Sequence, residues 1–127
     1  MSAIILLVED NEQNRYLATF LLEKSGYTVV HAANGEAALA CARTAQPHLI
    51  LMDIQMPKMD GYEAAQRIRE MPGLDGIPIV AVTSFAMIGD RERALRVGFA
   101  GYIEKPISTN TFVAEIAKFL PQKVGGI

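Results

Sequence analysis

Short apolar runs alternate with amphipathic stretches along the chain. The runs are rich in branched residues and lie at residues 4–8, 28–31, 49–52, 77–82 and 102–103. Uninterrupted apolar runs of this length are typical of strands that are buried on both faces, as in a parallel sheet. The pattern therefore predicts a strand at each run, and the run at residues 102–103 gives the weakest signal.

The intervals between the runs have the spacing of amphipathic helices. The first predicted helix, within residues 11–25, places Leu17, Phe20 and Leu21 on one face and ends at Gly26. Residues that cap helices precede the second, third and last predicted helices, and these are Asn34, Asp60 and Ser108.

The fourth predicted helix, residues 88–97, is mostly charged. This helix offers few large apolar core anchors beyond Leu95 and Val97, so it is a candidate mobile element. The last helix is predicted to bury Phe112, Ile116 and Leu120.

Strands and helices alternate in a βα order, which predicts an α/β fold. Right-handed crossovers then give a parallel sheet with helices on both faces. The length of 127 residues fits one domain, which we place at residues 1–121. The segment 122–127, with its two glycines, is predicted to be a flexible tail, either a free terminus or part of a linker.

Composition and charge exclude several classes of protein. Half of the residues are hydrophobic and the net charge is −2, without a basic run, which argues against nucleic-acid binding. The single cysteine, Cys41, excludes a disulfide framework and a cysteine-based zinc site. No apolar run approaches the length of a membrane helix, which is about 18 residues or more, and no signal peptide is evident. We therefore expect no membrane insertion and a cytoplasmic protein.

Polar side chains follow the predicted strands where each strand ends, and they are Glu9, Asp10, Asp53, Thr83, Ser84 and Lys105. In open parallel sheets, reactive groups gather at the carboxyl ends of the strands. If the first and third strands are neighbours, the three carboxylates of this set share one pocket.

Three close carboxylates require either a raised pKa or a bound cation. Oxygen ligands suit Mg²⁺, whereas Zn²⁺ is disfavoured because His31 and His48 lie outside this set. A lysine and a threonine hydroxyl both suit the oxygens of a phosphoryl group. Together these groups describe phosphoryl transfer to an aspartate. The structural alternative is that the acids cap helices, as Asp10 can do for a helix that begins at Asn11.

Five short motifs carry a family resemblance, and they occupy residues 7–11 (LVEDN), 51–57 (LMDIQMP), 59–61 (MDG), 82–83 (VT) and 102–106 (YIEKP). In this order and spacing the chain resembles a CheY-like response-regulator receiver domain of two-component signalling, from about residue 4 to residue 120. The stretch at residues 80–90 is most similar to stand-alone regulators of the DivK type.

The resemblance implies a (βα)₅ fold with strand order 2-1-3-4-5, an order for which such a receiver is the standard example. It implies that Asp53 is the phosphoacceptor. It also implies that Mg²⁺ is held by Asp10, Asp53 and the backbone carbonyl of Gln55, with Glu9 acting through water.

Further roles are implied for the fourth and fifth strand ends. Thr83 and Lys105 would hold phosphoryl oxygens, the Lys105–Pro106 peptide bond would be cis, and Tyr102 would be the aromatic switch. Phe85 and Gln55 stand at positions where the family varies and tunes dephosphorylation.

The resemblance predicts a phosphorylation-controlled switch that assists its own Mg²⁺-dependent phosphorylation and dephosphorylation. The phosphoryl donor would be a sensor histidine kinase or a phosphotransfer protein. Phosphorylation would change the affinity of the face made by the fourth helix, fifth strand and fifth helix for a downstream protein target. We expect a monomer or a weak dimer.

Two other functions compete with this prediction. A phosphatase or phosphotransferase with an aspartyl intermediate normally has an extra cap domain or a second catalytic acid close to the nucleophile. Here Ile54 and Gln55 follow Asp53, so no such acid is present there. Turnover of an external phosphoester would distinguish it. A scaffold that is never phosphorylated would normally have lost one of the five site residues Glu9, Asp10, Asp53, Thr83 and Lys105, which are all present.

Overall fold

The computed structural model describes residues 3–56, 59–84 and 89–120. The predictions for Phe85, for the start of the fourth helix at residue 88 and for the tail 122–127 lie outside these residues.

Strands and helices alternate along the described chain as predicted. The strands are β1 (Ile4–Val8), β2 (Thr28–Ala32), β3 (Leu49–Asp53), β4 (Ile79–Thr83) and β5 (Gly101–Glu104). The helices are α1 (Glu12–Lys24), α2 (Gly35–Ala45), α3 (Gly61–Arg69), α4 (Asp90–Val97) and α5 (Phe112–Ala117). All strand pairs are parallel and the order is β2-β1-β3-β4-β5, which confirms the predicted fold class.

The apolar strands build a core on each face of the sheet. In β1, Ile5 and Leu7 belong to the cluster that includes Leu22 and Phe112, whereas Leu6 and Val8 face the cluster that contains Ile68. Side chains of a strand alternate between faces, so a strand buried on both must be apolar throughout. The central strands are accordingly the continuous apolar runs of the sequence.

Two predicted helix caps are confirmed and one is wrong. Asn34 caps α2 and Asp60 caps α3 through their side chains. Ser108 does not cap α5, because Thr111 is the residue that precedes its first turn. The main-chain carbonyl of Ser108 instead accepts the amide hydrogen of Phe112, at 2.9 Å, in a turn that leads into the helix.

The buried faces of α1 and α4 also differ from the prediction. In α1 the buried residues are Ala18 and Leu22, and Phe20 is exposed on the outer side. Among the α4 side chains that the structure describes, Ala94 is buried and Val97 packs against the core as predicted, whereas Leu95 is 56% exposed and is not a core anchor. Ala18 and Leu22 therefore define the buried face of α1, and in α4 the alanine takes the core position while its neighbour Leu95 turns outward. Within the described ranges, no helix has the length and apolar character that a membrane span requires.

Candidate functional site

The carboxyl ends of the central strands bring the predicted polar residues to one edge of the sheet. Val8 of β1 is in register with Met52 of β3, so Glu9 and Asp10 follow at the level of Asp53. Because β1 and β3 are neighbours, the condition set by the sequence for a shared pocket is met.

The three carboxylates lie together. Oxygens of Glu9, Asp10 and Asp53 all lie within 4.8 Å of one another. Glu9 and Asp53 are buried, whereas Asp10 is exposed and opens the cluster to solvent. Hard oxygen ligands with access to water are the donor set that Mg²⁺ prefers, so these residues fit a magnesium ion.

Lys105 provides the positive charge inside this cluster. Its Nζ forms an ion pair with Glu9 Oε1 and a second, at 3.3 Å, with Asp53 Oδ2. The Lys105 side chain is 7% exposed, so both pairs are largely shielded from water. One ammonium does not balance three carboxylates, and the excess negative charge favours a divalent cation.

Burial raises the pKa of the Glu9 carboxyl above its usual range. The hydrogen bond from Lys105 opposes this rise, and the negative charge of Asp53 adds to it. Burial and the charge of Asp53 together raise the pKa of Glu9 by more than the Lys105 ammonium lowers it.

Asn11, rather than Asp10, caps the helix that follows the acid pair. The Asn11 side chain accepts the amide hydrogen of Asn14 at 2.9 Å. Glu9 Oε2 accepts the Asn11 amide hydrogen at 3.2 Å. The capping alternative for Asp10 is therefore wrong, and its carboxylate remains available to the cluster.

Asp53 is held by the loop that follows β3. Its Oδ1 accepts the amide hydrogen of Gln55 at 2.9 Å, while the Gln55 side chain is exposed. Gly61 packs directly behind this loop, since a Cβ atom there would lie 2.6 Å from the Asp53 carbonyl oxygen and 2.5 Å from Ile54 Cα. The sequence marked Gly61 only as part of a loop motif, and this close approach explains why the position needs glycine.

Thr83 and Tyr102 lie on neighbouring strands. Thr83 is buried at the end of β4 in register with Glu104, and Tyr102 is in register with Ala81. Because side chains alternate along a strand, Thr83 and Tyr102 face the same side of the sheet.

The Tyr102 ring is half-buried and its hydroxyl oxygen is buried. The Arg91 guanidinium of α4 lies 5.4 Å from the ring centroid. The Lys105–Pro106 peptide bond is cis, as the resemblance implied.

Sequence reasoning missed one further contact of the cluster. Arg15 Nη1 donates a hydrogen bond of 2.8 Å to the main-chain carbonyl of Glu9. Its only sequence signal is position, since an arginine in the first turns of a helix that follows an acid pair can reach back to the end of the strand.

Comparison with protein families and curated proteins gives consistent matches. The response regulator receiver domain family matches residues 5–117. The polar-differentiation response regulator DivK of Brucella anthropi is 44% identical over 120 residues, which cover 94% of this chain and 98% of the relative. The DivK protein of Brucella ovis is 43% identical over the same shares of both chains.

Solved structures share the fold. Chemotaxis protein CheY4 of Vibrio cholerae matches with a TM-score of 0.90 at 29% identity, over 94% of this chain and all of that one (100%). The receiver domain of a sensor histidine kinase from Pseudomonas aeruginosa matches with a TM-score of 0.85 at 34% identity, over 94% and 98% of the two chains. That structure is described with a magnesium ion coordinated in its active-site cleft.

Proposed function

The chain belongs to the response-regulator receiver domains of two-component signalling, and from this premise we propose that Asp53 is its phosphoacceptor. The observation that carries the proposal is the buried Lys105 ammonium between Glu9 and Asp53, at the edge where the three carboxylates meet. A buried carboxylate with a lysine on one oxygen and a cation-binding acid pair beside it is equipped to accept a phosphoryl group.

The transfer requires a carboxylate oxygen of Asp53 to attack phosphorus. In a phosphohistidine donor, the P–N bond breaks and its electron pair returns to the imidazole nitrogen. Magnesium, held by Asp10, Asp53 and the Gln55 carbonyl with Glu9 acting through water, would supply positive charge to the phosphoryl oxygens.

Two side chains of this domain complete the binding of the phosphoryl group. The Lys105 ammonium exchanges part of its pairing with Asp53 for a phosphoryl oxygen, and the Thr83 hydroxyl donates to another. Both are charge-assisted hydrogen bonds, and both are donated by side chains that are largely shielded from water. In this way the domain assists its own phosphorylation while the leaving group belongs to the donor.

The output of the domain is a conformational change rather than a released reaction product. Thr83 moves toward the phosphoryl group, and the Tyr102 ring, on the same side of the sheet, favours its inward position. The face of α4, β5 and α5 then changes its affinity for a downstream protein target.

A sensor histidine kinase or a phosphotransfer protein is the expected donor, because receiver domains interact with both. The downstream target, a cytoplasmic location and a monomeric or weakly dimeric state remain predictions from the sequence.

Incubation with a small acyl phosphate and Mg²⁺, followed by intact-mass measurement, tests the phosphoacceptor. We expect one added phosphoryl group, and none in Asp53→Asn or after chelation. Asp60→Asn is the matched control, because asparagine also caps α3 and the residue lies outside the cluster. Labelling of Asp53→Asn at the wild-type rate would overturn the assignment, and turnover of an external phosphoester would favour the phosphatase alternative.

A further inference from the structure

Arg15 joins α1 to the loop that carries the acid pair. Its Nη1 donates to the main-chain carbonyl of Glu9 at 2.8 Å, and the Glu9 amide donates to the Ala32 carbonyl of β2 at 3.0 Å. Both main-chain groups of Glu9 are therefore fixed, one by the sheet and one by Arg15. Asp10 follows at once, so the direction of its carboxylate depends on the same peptide unit.

The charge of Arg15 opposes the role of this site. The Arg15 guanidinium is hydrogen-bonded to the Glu9 carbonyl, and only a few covalent bonds separate this carbonyl from the carboxylates of Glu9 and Asp10. The guanidinium therefore lies within about 10 Å of both carboxylates. A cation at that distance repels Mg²⁺. If Arg15 acted through charge alone, its removal would strengthen magnesium binding.

The hydrogen bond of Arg15 has the opposite effect on magnesium. Without it the Glu9 carbonyl loses its side-chain donor, and the loop between β1 and α1 can rotate the peptide that aims Asp10. Partners that orient metal ligands in this way commonly change metal affinity without touching the metal.

We propose that Arg15 is a positioning residue for the magnesium site, and that its hydrogen bond to Glu9 outweighs the repulsion of its charge. The proposal rests on the magnesium site of the proposed function. Arg15 also borders an open groove with Tyr16, Thr19 and His31, so a shorter side chain at this position leaves no buried void.

Magnesium titration followed by amide NMR shifts tests the proposal on the intact chain. Arg15→Gln removes the charge and the guanidinium, Arg15→Lys keeps the charge, and Arg43→Gln on the exposed face of α2 is the charge-matched control. We expect Arg15→Gln to weaken Mg²⁺ binding about three- to tenfold, the range of one hydrogen bond partly offset by lost repulsion. Arg15→Lys should recover part of this loss, and Arg43→Gln should bind as the wild type does or slightly more tightly.

The salt dependence of Mg²⁺ binding distinguishes the positioning effect of Arg15 from the effect of its charge. Screening at high ionic strength removes the repulsion, so the gap between the wild type and Arg15→Gln should persist or widen. The thermal midpoint of the metal-free Arg15→Gln protein should stay within a few degrees of the wild-type value. Equal or tighter binding by Arg15→Gln would overturn the role of Arg15, whereas a wild-type protein that binds no Mg²⁺ would overturn the magnesium site itself.

Discussion

The acid side and the switch side of this sheet edge are built differently. The acid side comprises the ends of β1 and β3 with the loops that follow them. There Asn11 and Asp60 cap α1 and α3, and Lys105 pairs with buried carboxylates. The switch side comprises the end of β4 with α4 and β5. Its helix begins after Gly89 without a side-chain cap, and its apolar contacts with the core come from the small buried Ala94 and the partly buried Val97.

Several of the contacts that attach α4 to the domain involve arginine. Arg93 lies over the Tyr62 ring at 4.0 Å, and Arg91 lies over Tyr102 at 5.4 Å. At the other end, Arg69 Nη2 donates to the Gly98 carbonyl at 2.8 Å. Exposed cation–π contacts are each worth about 0.5–1 kcal/mol, which is much less than a buried apolar side chain contributes.

The difference assigns separate tasks to the two sides. Phosphoryl chemistry needs ligands that do not move, whereas signalling needs an element whose two positions differ by only a few kcal/mol. The predictions that follow test this division, from the largest expected effect to the smallest.

Gly61→Ala should damage the acid side most. Its Cβ would lie 2.6 Å from the Asp53 carbonyl oxygen, so β3, its loop or α3 must shift. We expect a loss of about 1–3 kcal/mol in the free energy of unfolding, measured by urea denaturation, together with slower phosphorylation. Gly76→Ala is the control, because nothing lies within 4 Å of its Cβ, and it should be neutral. Equal stability of the two variants would show that the Gly61 contact is not constraining.

Asp10→Asn should lower magnesium affinity by about tenfold or more, because it removes one of the three clustered charges. The same change should leave metal-free stability equal or higher, since it relieves repulsion with Glu9 and Asp53. Isothermal titration calorimetry measures the magnesium affinity, and thermal unfolding measures the metal-free stability. Unchanged affinity would exclude Asp10 as a ligand.

Thr83→Ala should uncouple the two sides. Phosphorylation at Asp53 should persist in Thr83→Ala, because Lys105 and magnesium remain to hold the phosphoryl oxygens. The phosphorylation-dependent change in partner binding should fall several-fold, since the hydroxyl no longer follows the phosphoryl group. Thr83→Ser keeps the hydroxyl and should restore the response. A full response in Thr83→Ala would mean that the signal leaves the site by another route.

Arg91→Ala should have the smallest effect. Without the guanidinium over the Tyr102 ring, the ratio between the inward and outward positions of the ring should change by about two- to fivefold. This is the change that one exposed cation–π contact produces. The Tyr102 ring resonances report this shift by NMR. Arg96→Ala, an exposed arginine of the same helix, is the control and should leave the resonances unchanged. Identical spectra of the two variants would remove Arg91 as a support of the ring.

The sequence predicted the alternation of elements and the convergence of the strand ends because both follow from continuous apolar runs that stop at polar residues. The order of the strands came from the family resemblance. Periodicity identified α1 but misplaced Phe20, because the alanine that packs on the sheet gives little hydrophobic signal. The same reason explains Leu95, whose neighbour Ala94 takes the core position.

Contacts that depend on the reach of a side chain were beyond the sequence. The hydrogen bond from Arg15 to the Glu9 carbonyl joins a helix to the strand end before it, and the position of the arginine after the acid pair does not by itself fix that geometry. Likewise, the first turn of α5 begins at Phe112, four residues after Ser108, because a turn intervenes between Ser108 and the cap Thr111.

Amide hydrogen exchange, compared between unphosphorylated and phosphorylated protein, tests the division of the two sides most directly. Asp53→Asn treated with the same acyl phosphate supplies the control for direct effects of the reagent. We predict that changes in protection concentrate in Thr83 and residues 89–104, on the switch side, while α1 and α3, which begin at the acid side, exchange as before. Changes of equal size in α1 and α3, or none in residues 89–104, would contradict a fixed acid side that drives a weakly attached switch side.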